Sequence, residues 1–192
     1  MGNTGKRWKF SYQDYLAIER KTDTRHQFVD GEVFAMEGST PLHAAVKVNL
    51  LCSPRPEDGG WRTGRPFASD LKIRVLETGM ASYADLTVVC GPLERDPEDP
   101  NAVTNPSLLA EVLSPSTEAW DRGGKFAHYQ RIPSLRHYLL IDTTTARVEH
   151  YERQPDGAWR YAALGAGDTL RVLDGVELSV DALYRDLPDE AG

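Results

Sequence analysis

Two carboxylates and one lysine in the middle of the chain could form a reactive site. Asp85 lies in the largely apolar segment 83–89, Glu111 lies in the apolar segment 108–113, and Lys125 follows shortly after. Burying a carboxylate in such a segment is unfavourable unless the charge is paired or binds a metal ion. Two successive apolar segments that each carry one acid therefore suggest a divalent-metal site.

The chemistry that fits this set is phosphodiester hydrolysis. Asp85 and Glu111, on neighbouring strands, could share one Mg²⁺, with water and a substrate phosphate completing its octahedral coordination, and Mn²⁺ could take its place. Such a metal lowers the pKa of a bound water and stabilises negative charge in the transition state. Lys125 could act as a point charge beside the scissile phosphate or the attacking water. The alternative is that both acids are solvent-exposed strand ends and that Lys125 is an ordinary surface lysine.

Three further residues are candidates for supporting roles. Asp70 opens the strand before Asp85 and could orient a metal-bound water, or it could be an exposed strand-end acid. Glu32 follows a predicted Asp-Gly turn and could approach the same cleft, or it could lie on the solvated face of a hairpin. His43, near the start of a predicted helix, could bind phosphate or act as a base, although a lone histidine is more often a capping or surface residue.

The composition is that of an ordinary globular domain. The chain has 192 residues, of which 40% are hydrophobic and 27% are charged, and this predicts one domain over 10–192 after a flexible lead at 1–9. No apolar run is long enough to cross a membrane, and no secretory signal opens the chain, so a cytoplasmic location is expected. Cys52 and Cys90 lack the spacing of a disulfide framework or zinc site and are expected to be free thiols. A net charge of −7 argues against a protein that coats nucleic acid nonspecifically, but it does not exclude a nuclease.

The elements before Asp85 alternate between helix and strand. A helix is predicted from Ser11 to about Arg20 with a weak capping box, and a hairpin is predicted over 27–36 with its turn at Asp30-Gly31. A second helix should begin near Pro41 and run to Leu51. The remaining predictions for this half are a loop at 53–65, a half-buried strand at 69–75, a central strand at 83–90 and an exposed loop at 91–105.

The second half should complete a sheet around Glu111. Strand 108–113, helix 117–131 and strand 136–142 form a predicted parallel crossover. A β meander follows at 147–153, 159–164 and 169–172, and a short helix begins near Val180. The predicted fold class is α+β, with mixed strand directions.

Several segments resemble those of the Uma-type family of putative restriction endonucleases, a branch of the PD-(D/E)XK nuclease superfamily. The resemblance lies mainly in 83–90, 111–117 and 121–129, and also in 25–33 and 69–75. The block Glu-Val-Leu-Ser-Pro-Ser-Thr at 111–117 is the most specific part. The resemblance implies a restriction-endonuclease-like central mixed sheet flanked by helices, a magnesium-dependent site and cleavage of DNA.

Carried over residue by residue, Asp85 matches the acid of the "PD" element and Glu111 that of the (D/E)XK element. Ala84 replaces the proline, and Leu113 stands where the lysine would be, so Lys125 from the following helix is the implied substitute. The expected function is therefore a metal-dependent DNA endonuclease. The alternative, favoured by Leu113 and the acidic net charge, is a catalytically inactive protein of this fold that acts as a binding or regulatory module. A homodimer is also expected, with its contact in the C-terminal third.

Overall fold

The computed structural model describes residues 9–36, 38–54, 60–61 and 64–188. Most of the predicted flexible lead and most of the predicted loop at 53–65 lie outside the described residues. The first half contains α1 (Tyr12–Glu19), β1 (His26–Val29), β2 (Glu32–Ala35), α2 (Pro41–Cys52), β3 (Gly64–Ala68), β4 (Lys72–Val75), β5 (Met80–Tyr83), β6 (Leu86–Cys90) and β7 (Ala102–Val103). The second half contains β8 (Leu108–Val112), α3 (Glu118–Trp120), a π-helical turn (Asp121–Lys125), α4 (Phe126–Tyr129), β9 (His137–Ile141), β10 (Arg147–Arg153), β11 (Trp159–Gly165), β12 (Thr169–Val172), a 3₁₀ turn (Leu173–Gly175), β13 (Val176–Ser179) and α5 (Val180–Leu183).

Two mixed sheets form the framework. A five-stranded sheet has the order β2-β1-β5-β4-β7 and a six-stranded sheet has the order β11-β10-β9-β8-β6-β3, while β12 and β13 pair separately. The pairs β4–β7 and β8–β9 are parallel, and β6–β8 is antiparallel. The α+β class and the mixed sheet architecture are confirmed, although the strands are divided between two sheets.

The predicted local signals hold at several element boundaries. Ser11 and Asp14 form a reciprocal capping box at the start of α1, and Thr40 caps α2 with Pro41 in its first turn. The turn between β1 and β2 has positive φ angles of 51° at Asp30 and 80° at Gly31, as a tight hairpin turn requires. The parallel arrangement of β8 and β9 is also confirmed.

The prediction of one continuous strand at 83–90 was wrong. β5 and β6 belong to different sheets, because the chain bends between them at Ala84 and Asp85. β4 pairs with β5 from Lys72 opposite Tyr83, and β3 pairs with β6 to Ala68 opposite Leu86. Three residues, 69–71, therefore lie across from two, 84–85, and an extra residue of this kind bends a strand and re-aims its side chains. Asp85 lies at this bend.

Two predictions of exposure were also wrong. All four residues of β4 are buried, and the acid-rich segment 91–105 buries Asp96 and Asp99 and contributes β7. The reason is charge pairing: Lys72 lies 2.8 Å from Asp99, and Arg74 lies 3.2 Å from Asp96. Cations that alternate with apolar residues in β4 thus become buried because a distant segment supplies their partners.

The hydrophobic core lies on both sides of the strands that carry the candidate residues. α2 packs Leu42, Val46 and Leu50 into a core with β6 and β8. A second core, which contains Leu113, Phe126 and Tyr129, lies beneath the helical segment that follows β8. Of the predicted meander, β10 and β11 pair in the six-stranded sheet, whereas β12 pairs with β13 in a separate two-stranded sheet. Among the described helices, none has the length and apolar character that a membrane span needs.

Candidate active site

Asp85 is held at the junction of the two sheets. The antiparallel register pairs Leu86 with Ala110, so continuing it by one residue places Asp85 across from Glu111. The backbone amide of Val112 donates a hydrogen bond of 2.8 Å to Asp85 Oδ2. The side chain is 14% exposed, which leaves it a narrow access to solvent. The bend thus turns one carboxylate towards the C-terminal end of β8.

Glu111 and Lys125 form a buried ion pair. Lys125 Nζ lies 2.9 Å from Glu111 Oε1 and 3.3 Å from Asp121 Oδ1, and the lysine side chain is only 4% exposed. The Tyr129 hydroxyl donates a 3.4 Å hydrogen bond to the same oxygen of Glu111. The structure therefore brings Lys125 from the helix to Glu111, while Leu113 is buried among apolar residues.

The π-helical turn explains how one short segment directs two charged side chains inwards. Asp121 and Lys125 are both buried at its two ends, and turns of this kind are often found at functional sites. A side-chain carbon at Gly124 would lie 1.9 Å from the Trp120 ring, so the ring packs where only glycine leaves room. The Trp120 indole also donates a 3.2 Å hydrogen bond to Gln27 Oε1. These contacts fix the turn, and with it the approach of Lys125.

Helix α2 brings two more groups to Asp85. His43 Nε2 lies 2.8 Å from the carbonyl oxygen of Val112 and 3.4 Å from Asp85 Oδ2, and Lys47 Nζ lies 3.2 Å from Asp85 Oδ1. Residues four apart on a helix share a face, which is why both reach the same carboxylate. Because a carbonyl oxygen only accepts hydrogen bonds, we assign the proton to Nε2 of His43, and Nδ1 then accepts from the Ser39 hydroxyl.

The two carboxylates differ in their ionisation. Burial raises the pKa of Glu111 well above its ordinary value, the charges of Asp121 and Asp85 add to this, and Lys125 offsets it only in part. Burial also acts to raise the pKa of Asp85, but the hydrogen bond with His43, the charge of Lys47 and the hydrogen bond from the Val112 amide lower it below its ordinary value. The negative groups around Lys125 keep its pKa above normal despite burial, so this lysine remains charged.

The structure brings together four of the six predicted site residues: Asp85, Glu111, Lys125 and His43. Asp70 instead forms an ion pair with Arg25 in an exposed turn. Glu32 lies in β2, opposite Val29 and separated from β5 by β1.

Sequence reasoning missed three residues of this site. Lys47 could have been found from its position one helical turn after His43, and Asp121 from its position one turn before Lys125. Tyr129 gave no such signal, because an aromatic side chain at this helical spacing is also what a packing residue would show.

The donor groups suit a hard cation that keeps part of its water shell. Three buried or nearly buried carboxyl groups, Asp85, Glu111 and Asp121, lie beside two lysines, Lys47 and Lys125, so the acids outnumber the ammonium groups by one. Within the described parts of the chain, no group of three or more His, Cys, Asp or Glu side chains is arranged to hold a metal. A magnesium site would therefore use the two carboxylates Asp85 and Glu111, with water and substrate supplying the other ligands.

Comparison with known proteins gives a family for the chain. The family model Uma2, described as "Putative restriction endonuclease", matches residues 12–183. An uncharacterised protein of Synechocystis sp., slr1290, is 37% identical over 182 residues, which cover 93% of each chain. A second uncharacterised protein of the same organism, sll1609, is 36% identical over 146 residues, which cover 76% of this chain and 82% of the relative.

A solved structure shares the fold. The crystal structure of a putative nuclease belonging to DUF820 from Anabaena variabilis aligns with a TM-score of 0.70 and 16% identity, over 89% of this chain and 96% of the other. At this identity the likeness concerns the fold alone. The arrangement of two mixed sheets is thus found in a protein described as a putative nuclease.

Proposed function

The chain belongs to the Uma2 family of putative restriction endonucleases, and on this premise we propose that it is a metal-dependent endonuclease that hydrolyses phosphodiester bonds in DNA. The observation that carries the proposal is the contact of 2.9 Å between Lys125 and Glu111, with Asp85 across the strand pair from Glu111. Lys125, from the helical segment, thus takes the place of the lysine that the family motif would put at position 113, where this chain has Leu113.

In this proposal Asp85 and Glu111 would hold Mg²⁺, or Mn²⁺ in its place. The bound ion would supply a water of lowered pKa and positive charge for the phosphate. Glu111 has to be ionised to bind it, so binding displaces any proton that its raised pKa retains. Lys125 orients Glu111 and keeps a fixed positive charge beside the reacting groups. His43 Nε2 holds the edge of the site through Val112 and Asp85.

The test is cleavage of DNA by the purified protein with Mg²⁺ or Mn²⁺, compared with Asp85→Asn and Glu111→Gln. Each variant keeps the side-chain shape but loses a ligand charge, and we expect cleavage to fall by roughly 100- to 1,000-fold. In the wild type, Mg²⁺ should also raise the melting temperature and release protons, both measurable by calorimetry. DNA that stays intact with every metal tested would rule out the enzyme.

A second candidate function is a non-catalytic module that binds nucleic acid or regulates a partner. The observation that favours it is the burial of the Lys125–Glu111 pair, at 4% and 5% exposure, which restricts access of a phosphate to Lys125. DNA binding without cleavage, unchanged by Glu111→Gln, would support this alternative. Cleavage that depends on Asp85 and Glu111 would exclude it.

The remaining predicted site residues, Asp70 and Glu32, stay predictions. Asp70 lies beside Ser69, which accepts a hydrogen bond from Lys47, so a supporting role would be exerted from the rim of the site. Asp70→Asn and Glu32→Gln test both residues with the same cleavage assay. Cleavage at the wild-type rate in either variant would remove that residue from the proposal.

The proposed assembly is a homodimer formed through β11. This strand lies at the edge of the six-stranded sheet, pairs with β10 over seven unbroken register positions, and exposes Tyr161, Ala162 and Ala163. Such an edge can pair with its own copy about a two-fold axis. Analytical ultracentrifugation should show a dimer that Ala162→Lys with Ala163→Lys converts to a monomer. A monomeric wild type at micromolar concentration would contradict the assembly.

A further inference from the structure

The two lysines of the site differ in how far they can approach a substrate. The Lys125 ammonium is held by Glu111 and Asp121, and its side chain is 4% exposed. The Lys47 side chain is 22% exposed and lies on the face of α2 that reaches Asp85. An incoming phosphate therefore meets Lys47 before it could meet Lys125.

The contacts of Lys47 place its ammonium at the seam where the chain bends. Its Nζ lies 3.2 Å from Asp85 Oδ1 and donates a 3.2 Å hydrogen bond to the hydroxyl of Ser69. Ser69 belongs to the three-residue segment across from Ala84 and Asp85, so Lys47 bridges the two sides of the bend. The ammonium is thus positioned by a carboxylate on one side and a neutral hydroxyl on the other.

The charge that surrounds Lys47 would differ if Asp85 bound a metal ion. In the structure, Lys47 is the lysine paired with Asp85, at 3.2 Å. A cation bound by Asp85 would compete with that ammonium for the same oxygens, since both are positive. Lys47 would then be available for an anionic ligand at the same place, and a compact ammonium on a flexible stem suits a phosphate oxygen.

We propose that Lys47 is a further catalytic residue, which contacts a non-bridging oxygen of the scissile phosphate from the open side of the site while Lys125 stays with Glu111. This inference rests on the proposed function, because it assigns the phosphate to a DNA substrate. Lys125 is then a positioning residue. Lys47 makes the contact with the substrate phosphate that the apolar side chain of Leu113 cannot make.

The experiment measures DNA binding and cleavage by Lys47→Met, Lys47→Arg and Lys125→Met. Binding of a short labelled duplex is followed against salt concentration in Ca²⁺, with a gel to verify that the DNA stays intact. Losing one phosphate contact should reduce the slope of log K against log salt by about 0.9 in Lys47→Met and restore it in Lys47→Arg. Lys125→Met should keep the wild-type slope, because its ammonium does not touch the phosphate. In Mg²⁺, cleavage by Lys47→Met should fall roughly 100-fold.

The exposed Lys21 provides a matched control, since Lys21→Met removes the same charge at the end of α1. It should cleave at the wild-type rate, and a melting curve for each variant verifies folding. If the wild type cleaves and Lys47→Met retains both its cleavage rate and its salt slope, Lys47 is only a counter-ion for Asp85 and the inference is overturned alone. If the wild type neither binds nor cleaves DNA, the proposed function fails and the inference fails with it.

Discussion

Two buried charge clusters flank the bend at Asp85, and they shift the pKa of a buried glutamate in opposite directions. In the first, Lys72 lies 2.8 Å from Asp99 and 3.7 Å from Glu19, and Glu19 also accepts hydrogen bonds from the Tyr83 hydroxyl and the His26 amide. In the second, Glu111 receives Lys125 and a long hydrogen bond from Tyr129, both on Oε1. The pKa of Glu19 is lowered, because its donors outweigh burial, whereas burial raises the pKa of Glu111.

The difference separates a cluster whose acids are fully paired from the proposed active site. Several hydrogen-bond donors contact Glu19, and the aromatic rings of Tyr15 and Tyr83 lie close to the Lys72 ammonium. The ionised carboxylate of Glu19 is therefore stabilised without any further partner. Around Glu111, donors are fewer and other acids lie close, which leaves a carboxylate that a cation would stabilise. Buried acids alone do not mark a site, and an acid whose pKa stays raised beside a lysine is a candidate for one.

The largest expected effect comes from removing each buried lysine in turn. Lys72→Met leaves Glu19 and Asp99 without their cation, and we expect the free energy of unfolding to fall by about 3–5 kcal/mol. Lys125→Met should cost less, about 1–3 kcal/mol, because Glu111 can take up a proton in its place. Urea denaturation at neutral pH measures both. A greater loss for Lys125→Met than for Lys72→Met would invalidate the comparison.

The two glutamates should respond oppositely to pH when each is replaced by glutamine. The raised pKa of Glu111 means that the folded state binds its proton more readily than the unfolded state, so this contribution to stability is present at low pH and is lost as pH rises through the folded pKa. Glu111→Gln should therefore gain stability relative to the wild type as pH increases.

For Glu19, whose pKa is lowered, stability is present above the unfolded pKa and is lost as pH falls through the folded value. Glu19→Gln should be destabilised by about 1.5–3 kcal/mol at pH 7, and the deficit should shrink on acidification. Melting temperatures of both variants between pH 4 and pH 8 provide the measurement. Parallel pH profiles for the two variants would show that the clusters do not differ.

A smaller loss of stability on acidification should come from the buried histidines His137 and His150. It has to be separated from the loss that is due to Glu19. Burial and the neighbouring His150 lower the pKa of His137 to about 4, and His137 Nδ1 lies 3.0 Å from His150 Nε2. The unfolded state therefore binds more protons than the folded state between about pH 6.5 and pH 4, and the free energy of unfolding decreases as the pH is lowered through that window. We expect about 1–2 kcal/mol between pH 7 and pH 5, which His137→Gln should remove. An unchanged acid slope in His137→Gln would assign the whole effect to carboxylates.

The sequence was sufficient to predict most elements around the site. Capping residues, the Asp-Gly turn and the apolar run at 108–113 located α1, α2, the first hairpin and β8, since these signals act between residues close in the chain. The contact of Lys125 with Glu111 was likewise predicted, through the resemblance of 111–129 to the family segments. These predictions depended on local chemistry or on a motif.

What could not be predicted depends on distant partners. An apolar run from Tyr83 to Cys90 has the composition of one strand, and only the pairing of β3, β4 and β8 divides it between two sheets. The burial of Asp96 and Asp99 depends on cations more than twenty residues earlier, so composition indicated an exposed loop. The spacing of Lys47 one helical turn after His43 was a local signal, but it points to Asp85 only once the bend has brought Asp85 to α2.

The bend at Ala84 and Asp85 also governs when during folding the site can come into existence. Its first arm, β5, hydrogen-bonds to β1 and β4, whereas its second arm, β6, hydrogen-bonds to β3 and β8. Asp85 is therefore fixed only when both sheets have formed, and Glu111 and Lys125 are synthesised after it. A nascent or half-folded chain carries the acids but not their arrangement. Any hydrolytic capacity therefore requires the long-range pairing of β6 with β8 to be complete.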